Sequence, residues 1–428
     1  MHPNLSFEQA PPISVPFRFF LTAPLFGIAA GLLLLWQGGE MLSSRWMPAA
    51  LAATHLLVVG FMLQAMCGAL LQFVPVAAGG NIWRPRLVAG IVHPLLLVAA
   101  GLLVAAFLSY RPALFLGAAH LFVAALGVFC IVVGAAVWRT PAQGPTIVAL
   151  RIAMIGLLVT VALGATLATG LASGAQWPLL ALTDIHAGWG LGGWGLVLLA
   201  GVSYFVVPMF QLTPAYPAWL ARGVPLLLML VLILWTLQLL GFPAEIRMAI
   251  LFAGLAVAGA FAVQTLRLQF RRRRKVKDAT LLFFRTAMVC LLVIVASALL
   301  FAAVPQFGQD ARAPVWLGVL ALVGVFVTAI NGMLYKIVPF LNWLHLQRLG
   351  GMTVLPPTMN QMLAERRMRQ QLYAHLAALV LLLAAVWFPL LARPAGLAFA
   401  LDCLWLAANL VTAVRVYRDF RDRIRAAA

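Results

Sequence analysis

The sequence predicts an all-α integral membrane protein, with twelve transmembrane helices arranged as three pseudo-repeats of four. Three observations predict it: the composition, the placement of positive charge, and a pattern that recurs three times. Apolar residues make up 64% of the 428 and charged residues only 9%, with a mean hydropathy of +1.04. A soluble domain carries roughly 25% charged residues, so a soluble enzyme, a coiled coil, a disordered tail and a secreted disulfide scaffold are all excluded. A bilayer-crossing helix needs about 20 apolar residues. Twelve such runs fit the length.

The runs lie at 17–37, 47–76, 86–108, 112–138, 146–172, 179–209, 222–240, 244–269, 280–303, 314–344, 370–391 and 394–415. With both termini cytoplasmic, 24 of the 29 Lys and Arg residues fall on the inner side. Only Arg45, Arg111, Arg247, Arg312 and Arg393 fall outside, and this asymmetry sets the orientation. Both termini are therefore expected on the cytoplasmic side, with the membrane entered without a cleavable signal peptide, since the polar, proline-rich start has no basic n-region. The basic run at 271–277 reads as a topology signal against anionic lipid, not as a nucleic-acid site. Cys67, Cys130, Cys290 and Cys403 each sit in a different apolar run. No CxxC or CxxCH occurs, so zinc ribbons and covalently attached haem are not expected.

Spans 2, 6 and 10 share a pattern: GALLQFVPV (68–76), GVSYFVVPM (201–209) and GMLYKIVPF (332–340). Aligned on Pro75, Pro208 and Pro339, glycine recurs seven residues earlier (Gly68, Gly201, Gly332) and fifteen earlier (Gly60, Gly193, Gly324). The proline spacings of 133 and 131 residues equal one four-span unit. A single membrane domain over 1–428 follows, with pseudo-repeats at approximately 1–138, 146–269 and 280–415. Paired six-helix halves, as in major-facilitator transporters, do not fit. Each glycine alone reads as close helix packing, and each proline as a tolerated kink.

Three pseudo-equivalent four-helix arcs resemble haem–copper oxidase subunit I. The stretch VPFRFFLTAPLFGIAAGLLLLW, with THLLVVGFMLQAMCGALLQFVPVAAGGNIWRP after it, is also similar to the opening of NnrS-like membrane proteins. That haem- and copper-containing bacterial family is linked to nitric oxide stress. The resemblance implies a non-covalent b-type haem, copper in addition, and a diatomic gas ligand or a respiratory-chain partner within the lipid bilayer. It implies His55 as the foremost axial ligand, on the helix that carries one in the oxidases. A catalytic oxidase would also need a His-His pair in span 7 and two histidines in the outer half of span 10. Neither is present, so a functional terminal oxidase is not expected.

His55, His120 and His186 lie seven or eight residues inside spans 2, 4 and 6, about 10–12 Å below one boundary at 1.5 Å per residue. Imidazoles at one depth suit haem iron or copper, and each alone also reads as a polar residue bonded to a carbonyl. Gly190 and Gly193 fall on the face of His186, leaving room for a flat macrocycle or a close helix. Met62 and Met66 follow His55 at i+7 and i+11, a stripe suited to Cu(I) and equally to packing. His345 and His375 sit among arginines and read as interfacial, with His93 the remaining inner histidine. Asp184 and Asp402 are the acids at membrane depth, both placed toward the outer side, and Lys336 has no evident acidic partner. Tyr204 and Tyr335 share a repeat position and read as aromatic filling, and Trp189, Trp194 and Trp316 as an aromatic belt. Two other readings stand beside a haem protein: a small-solute permease, and a cofactor-free partner in respiratory assembly.

Overall fold

Apolar runs long enough to cross a bilayer must satisfy their backbone internally, and helices do so. The structure, a computed structural model, describes residues 7–241, 244–273, 278–349 and 355–427. Arg274, Lys275 and Lys277 of the basic run lie outside the described residues. Twelve helices are long and apolar enough to span a membrane. They are α1 (Ser14–Leu42), α2 (Pro48–Ala77), α3 (Pro85–Ser109), α4 (Pro112–Arg139), α5 (Pro145–Ser173) and α6 (Leu179–Gln211). Then follow α7 (Ala218–Leu239), α8 (Arg247–Phe270), α9 (Ala279–Ala303), α10 (Ala313–Leu349), α11 (Glu365–Trp387) and α12 (Pro389–Ala426). No strand occurs among the described residues.

Local sequence sets the ends. Pro48, Pro85, Pro112 and Pro145 open their helices, where a fixed φ helps and the missing N–H costs nothing. Asp278 caps α9 by accepting from the Thr280 and Leu281 amides. Two helices outrun their predicted spans: α11 begins at Glu365 and α12 continues to Ala426. Charge ends an apolar run, but it does not end a helix. Beyond that run the ends of α10 and α12 join a small apolar cluster of Leu346, Met362, Tyr417 and Ile424.

The chain forms two compact units. One comprises Ala69–Lys275 with Met1–Pro11 and Leu291–Ala296. In it α3, α4, α5 and α6 pack in series, α7 lies on α5 and α6, and α8 lies on α7. Because α4 packs along α5 as fully as along α3, no break in packing marks the expected repeat boundary at 138–146. The other unit comprises Pro12–Gly68, Val276–Cys290 and Ser297–Ala428. There α1 runs against α12 along its length, α12 also meets α10 and α11, and α2 packs on α1. Backbone contact makes the α1–α12 seam close: a Cβ at Gly31 would stand 2.6 Å from the Ala400 amide nitrogen.

The threefold sequence pattern has a physical counterpart. The first glycine column brings each helix against the preceding one: Gly68 against Phe19 of α1, Gly201 against Ala149 of α5, Gly332 against Phe283 of α9. The second column repeats this two turns away, with Gly60 on Phe26, Gly193 on Gly156 and Gly324 on Cys290. Between the two contacts the preceding helix advances seven residues, close to two α turns. The glycine helix advances eight. The surplus residue is absorbed by π-helical turns at Leu56–Met62, Trp189–Leu196 and Leu320–Val327, where i→i+5 bonding widens the helix. Each π-turn opens nineteen residues before its proline.

Candidate functional site

Of the three histidines expected at one depth, only His55 directly adjoins a π-turn. His55 is the residue before the first π-turn, and its Nδ1 lies 2.8 Å from the Leu51 carbonyl of its own helix. His120 does the same on α4, 2.7 Å from the Leu116 carbonyl, with an exposed side chain. His186 bridges helices instead. Its Nδ1 lies 3.1 Å from the Thr160 carbonyl of α5, and its ring fills a notch left by Gly164, where a Cβ would stand 3.0 Å from the ring. Among the described residues no three His, Cys, Asp or Glu side chains form a group able to hold a metal ion.

Two sequence readings near these residues need correction. Met62 and Met66 are buried, whereas His55 is only half-buried. The π-turn between them turns through less angle per residue, so seven positions no longer close two turns and the His/Met stripe is broken. Of the two readings of the room beside Gly193, the close helix holds, since the Gly156 backbone of α5 lies against it. Trp189 and Trp194 are buried as well, not belt residues, and Trp189 Nε1 donates to Thr236 Oγ1 at 2.9 Å.

The densest buried polar constellation lies elsewhere, in the second unit. His375 of α11 is fully buried, with Nδ1 2.7 Å from Asp402 Oδ2 of α12 and Nε2 2.7 Å from Thr328 Oγ1 of α10. Gln371, one turn before His375, donates through Nε2 to Asp402 Oδ1 at 2.5 Å. The Thr328 hydroxyl also lies 2.7 Å from the Val323 carbonyl, five residues back inside the third π-turn. Next to this chain, Asn409 Nδ2 donates to the Tyr335 hydroxyl at 2.9 Å. The Phe283 ring of α9 lies 5.9 Å from the rings of both His375 and Tyr335.

His375 is therefore not interfacial. The helix begins a turn and a half before its apolar run, which places the ring mid-helix and level with Asp402. The signal available in the sequence was an acid alone in the apolar stretch of α12, and Gln371 and His375 at i, i+4 on one face. Lys336 has an acidic partner too: its Nζ lies 3.1 Å from Asp278 Oδ2 at the mouth of α9. Burial opposes ionisation of Asp278, but the Lys336 charge and the Thr280 hydroxyl and amide outweigh it and hold the carboxyl below its ordinary value. Tyr204 packs edge-on against Tyr216, whose hydroxyl lies 2.9 Å from Thr265 Oγ1.

Fold and site together define an all-α, twelve-helix membrane protein with a buried acid–base cluster. No known protein-family model matches the chain, and no curated protein matches it significantly.

Proposed function

We propose that the chain is a haem-binding protein of the bacterial inner membrane, both termini cytoplasmic, akin to haem–copper oxidase subunit I but lacking its binuclear centre. Its role would lie in the response to nitric oxide or in respiratory metabolism. The observation that carries this reading is the common register of the three π-turns, which is what three pseudo-equivalent four-helix arcs require. His55 fits one axial position. Donating Nδ1–H to the Leu51 carbonyl fixes the tautomer, so that Nε2 would be the nitrogen to hold the iron, the usual arrangement for ligating histidines. His120, exposed, and His186, set in the Gly164 notch, do not fit a second position. When bound, such a five-coordinate haem would supply an open site for a diatomic ligand. For copper, no group of three His, Cys, Asp or Glu side chains supports a site among the described residues.

The test is the visible spectrum of the full chain purified in detergent after expression with ample haem. A Soret band in wild type that is lost or shifted in His55→Ala is expected. Absence of the band in wild type overturns the haem reading, and an unchanged spectrum in His55→Ala overturns the ligand. A second reading, a proton-coupled carrier of a small solute, is favoured by one observation: the buried Asp402–His375 pair supplies an intramembrane acid of the kind such coupling uses. A colourless wild-type protein would favour it.

A further inference from the structure

The Thr328 hydroxyl has one hydrogen and two acceptors within reach. Val323 O and His375 Nε2 each lie 2.7 Å away, and only one can receive it. If it goes to Val323 O, then Nε2 must carry its own hydrogen to make the short contact with Thr328. Asp402 then pairs with an imidazolium, or is itself protonated and donates to Nδ1. The cluster is neutral in both forms. If the hydroxyl turns to Nε2 instead, His375 is neutral with its hydrogen on Nδ1, and Asp402 remains as a buried anion. The two arrangements differ by one proton and by whether the Val323 carbonyl, which already accepts from the Thr328 amide, receives the hydroxyl hydrogen as well.

We propose that Thr328, His375 and Asp402 form a one-proton binding site inside the helix bundle, and that its occupancy decides whether the Thr328 hydroxyl adds a second hydrogen bond to the Val323 carbonyl in the π-turn of α10. Proton uptake places one hydrogen from water on the His375–Asp402 pair. The Thr328 hydroxyl then rotates from Nε2 to Val323 O, and no other bond changes. Release reverses this. The two forms differ by a net charge inside an apolar bundle, which is costly. Gln371 stabilises the anion of the empty form through its 2.5 Å bond to Oδ1.

The surroundings suit a site that exchanges a proton. Asn331, one turn on from Thr328, is fully buried with neither amide atom partnered. Gln64, which holds in α2 the register position of Thr328 in α10, is the same, and the π-turns of α2 and α10 pack together. Buried amides without protein partners recruit ordered water, which carries protons. The other titratable groups facing the pair are Tyr335 of α10 and Cys403 of α12, both within electrostatic reach of Asp402. From α9 comes the Phe283 ring, and the nearby Lys336–Asp278 pair is closed on itself.

The experiment is magnetic resonance of the full chain in liposomes, with isotope-labelled histidine and a labelled Val323 carbonyl. His375 is assigned by difference from His375→Gln. At neutral pH, Nε2 is expected to carry a hydrogen and the Val323 carbonyl to be hydrogen-bonded by the hydroxyl. Raising the pH should strip Nε2 and shift the carbonyl together, with one midpoint. Thr328→Ser should keep both responses, whereas Thr328→Val should keep the ring titration and lose the carbonyl response. A ring that keeps one state across the whole pH range in which the protein stays folded overturns the site. A ring that titrates beside an indifferent wild-type carbonyl overturns the link to the π-turn.

Discussion

The π-turn of α6 and the π-turn of α10 are the same backbone device put to different ends. In α6 the widened turn is built from WGLGGWGL, and its glycines admit the α5 backbone, so that Gly156 meets Gly193 with no side chain between them. Its polar neighbours are neutral pairs: Trp189 with Thr236, and farther along the unit Tyr216 with Thr265 and Gln269 with Gln211. In α10 the turn is LALVGVFV, and the space beside Gly324 holds a yielding thiol, Cys290. The residue that follows is Thr328, which ties the turn to a buried acid and base. The residue after a π-turn thus decides whether a carbonyl of that turn, already bonded by the backbone, is also tied to a buried acid–base pair.

The largest effect should come from crowding the two turns unequally. Gly156→Ala forces a methyl onto the Gly193 backbone, which cannot move aside, so folded, monodisperse protein should be lost on size-exclusion chromatography. Gly324→Ala meets the Cys290 thiol at 2.9 Å and should cost only about 1–3 kcal/mol, as overpacking usually does. Gly127→Leu, with nothing within 4 Å, should leave the elution profile unchanged. Equal behaviour of the first two variants would break the distinction drawn between the turns.

Next in size is the contrast between charged and neutral buried pairs. His375→Leu or Asp402→Leu strands one buried partner and should cost about 3–5 kcal/mol in denaturant unfolding, while the double substitution should recover much of the loss. Thr236→Val in the other unit removes a neutral acceptor and should cost only about 1 kcal/mol.

The smallest effect sharpens the comparison from outside. Asp310, in the exposed turn before α10, is held at about 2 by hydrogen bonds from the Arg312 side chain and backbone. A depressed carboxylate stabilises above its unfolded value of about 3.9 and loses that contribution as the pH falls through the folded value. A carbon-detected titration should show Asp310 ionised down to about pH 2, and Asp310→Asn should lower stability at neutral pH only slightly, because the pair is exposed.

Much of this was legible in the sequence, and the reasons are particular. Apolar runs and prolines set twelve helices, because lipid tolerates no other local solution. The glycine columns also proved to be helix contacts. Their spacing of eight was a further clue, since eight positions do not return to one face of an α-helix, and the π-turns follow from it. What could not be read was partnership across helices. Lys336 finds Asp278 from 58 residues away and His375 finds Asp402 from 27, distances over which periodicity carries no information. His375 was further masked by the arginines that precede it, because hydropathy ends a span where the helix itself continues.

The cluster where α10 and α12 end gives those two helices a mechanical meaning. Thr328 and Leu346 are carried on one continuous helix, about 27 Å apart at 1.5 Å per residue, and Asp402 and Tyr417 on another, about 22 Å apart. Leu346 and Tyr417 lie in the same apolar cluster. The two rods are thus pinned together at the far end, bonded between through Asn409 with Tyr335 and Asn342 with the Ala413 carbonyl, and joined at the near end through a hydroxyl, an imidazole and a carboxylate. They form a braced pair, in which the proton site is one rung of a ladder and not a free end.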